Sequence, residues 1–111
     1  MNNQPIVVLI TVPSKQVGER IAEVLLEQKL AACVNIIPGV SSIYLWKGII
    51  NRDEESLLIV KSRAGLFEEH ILPTVQAIHP YEVPEIIALP VVMGLPGYLD
   101  WIREVTRLEA G

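Results

Sequence analysis

The chain has 111 residues, half of them hydrophobic and 20% charged, with a net charge of -4 from 13 acidic and 9 basic side chains. That length holds one domain with a real core, spanning residues 1–111. An acidic chain without a run of Lys and Arg argues against a nucleic-acid binder, and no segment reaches the roughly 18 apolar residues of a membrane helix.

Ile6–Val12 is an unbroken apolar run, which predicts a central strand buried on both faces. Pro13 stops it and Ser14 offers an N-cap. Val17, Ile21, Val24 and Leu25 then recur at helical spacing, with Glu19, Arg20, Glu23 and Glu27 on the other side, so an amphipathic helix runs to about Lys29. From Leu30 to Ser62 the chain wants to be extended. Val34–Ile37 leads in, Pro38-Gly39 makes a kink or bulge, and Val40–Trp46 continues to a turn at Lys47-Gly48, where glycine supplies positive φ. The return arm holds Ile49-Ile50, a polar tip segment Asn51–Glu55, and Leu57–Lys61. Arms of about thirteen residues would span roughly 40 Å, about twice an ordinary strand. A two-stranded ribbon alone in water is marginal, so a second copy of the chain is the expected partner.

Phe67, Ile71, Val75 and Ile78 predict a second helix, which Pro73 must kink or split. His79–Glu85 carries Pro80 and Pro84 and reads as extended or turn. Ile86–Val92 is an apolar strand whose Pro90 places it at an edge. Gly94–Gly97 is a loop, and Tyr98, Trp101, Ile102, Val105 and Leu108 predict a final helix. The order β-α-β-β-α-β predicts an α+β, ferredoxin-like antiparallel sheet with two helices on one face, an extended hairpin between the second and third strands, and an extra C-terminal helix.

Few residues carry chemistry. The single cysteine, Cys33, excludes an internal disulfide and fits a reducing, cytoplasmic setting; its place at a strand start predicts a buried, inert thiol. The N-terminus reads as no signal peptide, for it lacks a basic region. Neither CxxC nor HExxH nor a glycine-rich phosphate loop occurs, and no nucleophile–base pair can be named, so no enzyme is expected. His70 sits beside Glu68 and Glu69 and is expected to be solvated. His79 precedes Tyr81, Glu82 and Glu85. It reads either as a metal ligand with Glu82, for a copper or zinc ion, or as a helix C-cap. Lys61, at the end of an apolar strand, reads as either a solvated strand end or an anion-binding charge, and Tyr44 and Trp46 as candidates for a subunit interface, where aromatics are enriched.

Leu30–Asn35, Ile43–Gly48, His79–Glu85 and Tyr98–Trp101, in that order, resemble the CutA family of divalent-cation tolerance proteins. The resemblance runs from Ile6 to about Val105. It implies a ferredoxin-like homotrimer, related in architecture to the nitrogen-regulatory signal proteins, in the cytoplasm and linked to tolerance of copper and other divalent ions. It also implies a departure. In some members a copper site is ascribed to a first-strand cysteine and a tandem histidine pair before Pro-Tyr, positions that here read Ile10 and Ile78. Only His79 remains of that set, so any ion would need other donors such as Glu82, Glu85 or a neighbouring subunit. The reading is a trimer that binds divalent ions weakly, requires no cofactor and performs no chemistry. The alternative, which the architectural kinship implies, is a trimeric signalling or interaction protein with a small-molecule cleft between subunits lined by Lys61, Tyr81 and Glu85.

Overall fold

The computed structural model describes residues 2–107; the expected continuation of the last helix to Leu108 lies outside them. The elements are β1 (Pro5–Val12), α1 (Lys15–Glu27), β2 (Cys33–Trp46), β3 (Ile49–Arg63), α2 (Leu72–Ile78), β4 (Ile86–Pro90) and α3 (Pro96–Val105). The strands lie in the order β2-β3-β1-β4, every neighbouring pair antiparallel. Two split β-α-β units therefore interlock, giving the α+β, ferredoxin-like arrangement.

Alternation decides which side is core. Ile6, Val8, Ile10 and Val12 of β1 are buried beside Leu58 and Val60 of β3, and Ile21 and Leu25 of α1 close over them. Val7, Leu9 and Thr11 point the other way and are half-buried, which corrects the expectation that β1 is buried on both faces. The reason is coverage. Among the described helices, α3 packs over that second face, at the Cys33–Arg63 end, where the buried Arg63 donates Nε to Thr106 Oγ1 at 3.0 Å.

Local chemistry sets the ends of α1. Ser14 Oγ accepts from the Val17 amide at 3.2 Å, the N-cap read from sequence. At the other end Leu30 N–H reaches Leu25 C=O at 2.8 Å and Lys29 N–H reaches Leu26 C=O at 3.0 Å, the paired bonds of a Schellman stop. That stop forces Lys29 to φ 57°, a left-handed conformation usually given to glycine. Before α2 the chain makes a 3-10 turn, Ala64–Leu66, and a π turn, Phe67–Ile71. The wider π turn lets Pro73 enter in the first turn of α2, where its missing N–H costs nothing, and this is how the expected interruption is realised. Strand β4 ends at Pro90, opposite Ile6 on the sheet edge, two residues short of the expected Val92.

Strands β2 and β3 outrun the rest of the sheet. Strand β1 ends at the Val12–Ser56 pair, so Val40–Trp46 and Ile49–Glu55 continue as a free two-stranded ribbon along the 43 Å dimension of the molecule. Lys47 and Gly48 both hold positive φ, 50° and 77°, as a type I′ hairpin turn demands. At Pro38-Gly39 the register slips between Ile37 and Val40, with Gly39 at φ 70°. Two residues of β2 then oppose one of β3, a β-bulge, and the side-chain alternation of β2 reverses beyond it.

Candidate functional site

That reversal builds the site. Opposite Asp53 stands Ser42, with Tyr44 two residues on, so Tyr44, Trp46, Asp53 and Glu55 come to share one face of the ribbon. Without the bulge Tyr44 would point to the far side. The segment after α2 folds against the base of the ribbon and closes a groove of about 770 Å³, walled by Tyr44, Trp46, Asp53, Glu55, Tyr81 and the carboxylates Glu82 and Glu85.

Two phenol–carboxylate pairs order the groove. Tyr81 donates its hydroxyl to Glu55 Oε2 at 2.6 Å, and Glu55 is 8% exposed. Tyr44 donates to Asp53 Oδ2. Burial, then the Glu55 bond and charge, pushes the Tyr81 phenol well above its usual range. The Asp53 hydrogen bond first, then burial, raises Tyr44. Both phenols are thus held neutral as donors, leaving the carboxylates to carry the negative charge of the groove.

His79 stands behind this wall, 8% exposed. It is the C-cap of α2, its amide bonded to Val75 C=O at 2.8 Å. The ring turns away from the helix carbonyls. Nε2 donates to the Thr11 carbonyl at 2.8 Å, just past the last β1 residue that pairs with β4, and Nδ1 accepts the Tyr81 amide at 3.1 Å. A carbonyl only accepts and an amide only donates, so the neutral Nε2–H tautomer is fixed and both nitrogens are engaged.

Of the residues singled out from sequence, Tyr81, Glu82, Glu85, Tyr44 and Trp46 line the groove. Among them Glu82 and Glu85 are exposed, and Trp46 is 47% exposed. Lys61 does not join them. It pairs across the ladder with Cys33 at the other end of β3, roughly 20 Å of strand from Glu55, and bonds Asn35 Oδ1. Cys33 is half-buried, with the Tyr98 phenol against it; burial and then Cys33 raise that phenol. His70, expected to be solvated, is half-buried and accepts a bond from the Arg107 guanidinium at Nδ1. Glu55 and Asp53 are the site residues that sequence reasoning left in a polar hairpin tip.

Chemically, the groove offers oxygen donors and negative charge, which suit a cation. Among the described residues no three of His, Cys, Asp and Glu converge closely enough to hold an ion by themselves. No described helix is long and apolar enough to cross a membrane.

A family model described as CutA1 divalent ion tolerance protein matches residues 6–105. The chain is 54% identical over 100 residues to the divalent-cation tolerance protein CutA of Thermus thermophilus, covering 90% of this chain and 96% of that protein. It is 47% identical over 102 residues to the chloroplastic protein CutA of Arabidopsis thaliana, covering 92% of this chain and 56% of the plant protein. The solved T. thermophilus divalent cation tolerance protein superposes with a TM-score of 0.90 at 52% identity, covering 93% of this chain and 99% of that one. CutA1 from Oryza sativa superposes with a TM-score of 0.90 at 46% identity, covering 96% of each chain.

Proposed function

The chain belongs to the CutA1 divalent ion tolerance family, and from that premise we propose that it acts as a homotrimer that binds divalent cations weakly and carries out no chemistry. The observation that carries the ion-binding part is the groove, whose wall is lined by Asp53, Glu55, Glu82 and Glu85 beside two phenols. Their scattered placement supports weak binding, because a tight site needs three or four convergent donors. Copper is expected ahead of zinc, the usual order for nitrogen and oxygen donors. Glu82, exposed at the rim, is the first carboxylate an ion meets; His79 enters as a donor only by giving up one of its two internal bonds. No cofactor is required, and a reducing, cytoplasmic setting suits a lone half-buried thiol.

The trimer rests on the ribbon. Its tip exposes Leu45 at 71% and Ile50 at 67% of their surfaces, with Trp46 beside them, and β2 forms an edge of the described sheet. Apolar surface of that kind is covered by a partner in a stable protein. A groove of about 770 Å³ is also far larger than a bare ion. That favours, as a second reading, a signalling or interaction trimer whose cleft takes a small molecule. Calorimetric titration of the same preparation with copper, zinc and candidate nucleotides separates the two. Heat from the ions supports the first reading, and heat from an organic ligand alone supports the second.

A further inference from the structure

We infer that His79 is the latch that positions the acidic wall of the groove, and that it is not an ion ligand. Three structural elements meet at this residue. Its amide closes α2 on Val75, its Nε2–H holds the Thr11 carbonyl at 2.8 Å, and its Nδ1 holds the Tyr81 amide at 3.1 Å. The Tyr81 ring then lies against the imidazole, centroids 4.8 Å apart, and its hydroxyl fixes Glu55 at 2.6 Å. A chain of contacts thus runs from the end of β1, through His79 and Tyr81, to the buried carboxylate. Pro80 stiffens the link between His79 and Tyr81, so little slack is available for the ring to swing out. A metal ligand must present a free ring lone pair, and here the one lone pair in the ring plane is taken by a main-chain N–H. Capturing His79 for an ion would release Tyr81 and loosen Glu55, the residue that gives the groove its buried charge.

Nitrogen-15 spectra of the imidazole rings test this directly. The Nε2-protonated tautomer is expected, with Nδ1 shifted as a hydrogen-bond acceptor, and His79 ring signals that stay in place when zinc is added. His79→Asn keeps an acceptor oxygen where Nδ1 stands, so the Tyr81 amide should remain protected from hydrogen exchange. In His79→Ala that amide should exchange roughly tenfold faster or more. An Nδ1–H tautomer, or zinc shifting the His79 ring, overturns the assignment, and so does equal exchange in the Asn and Ala variants. The zinc arm alone rests on the ion-binding reading. Should zinc bind nowhere, that reading falls, while tautomer and amide exchange still decide the latch.

Discussion

Trp46→Ala is the sharpest perturbation of the proposed assembly. In the isolated chain the indole is 47% exposed near the tip of the ribbon, with Lys47 Nζ 6.0 Å from the ring centroid. A tryptophan side chain presents up to about 250 Å², so about 120 Å² remains for a neighbouring subunit to cover. At about 25 cal/mol per Å² that burial contributes about 3 kcal/mol per subunit. Removing it should weaken each subunit contact about a hundredfold, since 1.4 kcal/mol is a factor of about ten. Light scattering across a dilution series should show the variant dissociating at concentrations where the parent stays assembled. Because folding and association are linked, its melting temperature should also fall on dilution. If the variant keeps the parent's mass and melts at the same temperature at every concentration, Trp46 is an exposed tip residue and the ribbon argument fails.

Three further outcomes are expected. Tyr81→Phe leaves the buried Glu55 carboxylate without its phenol and should cost about 1–2 kcal/mol in urea unfolding; an unchanged midpoint would show that water replaces the bond. The folded-state pKa of Tyr81 lies above its unfolded value near 10, so its contribution is whole below pH 10 and is lost as pH rises further. The parent should therefore lose stability in strong alkali more steeply than Tyr81→Phe does; matching alkaline profiles would contradict this. Lys29→Gly removes a side chain from left-handed backbone at φ 57° and should stabilise the fold by about 0.5–1 kcal/mol, read as a raised melting temperature. A lowered one would show that the Lys29 side chain contributes packing worth more than the strain.

Features fixed by adjacent residues were legible in the sequence. A continuous apolar run marks β1, though not its one-sided burial, β-branched and aromatic residues mark the long arms, Lys47-Gly48 marks the turn, and Ser14 marks the helix start. Pro38-Gly39 was readable as a break, but its consequence was not. Whether a bulge adds one residue decides which way Tyr44 points, and that depends on the register against β3. Glu55 was hidden for a similar reason. It sits in a polar run, and the partner that accounts for its burial, Tyr81, lies 26 residues away. The Tyr44–Asp53 pair was within reach, because counting back from the turn places them diagonally across the hairpin. Lys61 could have been separated from the groove by strand rise alone, roughly 20 Å from Glu55. His79 looked like a ligand because imidazole beside carboxylates suits metals; only the β1 carbonyl and the Tyr81 amide reveal that the ring is already engaged. Lys29 gave no local sign of a left-handed stop beyond the later contact of Leu25 with Leu30.

The central claim is a weak divalent-cation site in the groove of an oligomer, and calorimetric titration of the full chain with copper and zinc tests it most directly. The expected dissociation constants are roughly micromolar or weaker, about 8 kcal/mol of binding at most, with copper ahead of zinc. Binding should weaken as pH falls, because protons compete with the ion for its donors. A nanomolar constant would contradict the scattered placement of the donors, and absence of heat with either ion at millimolar concentration would remove the ion-binding reading altogether.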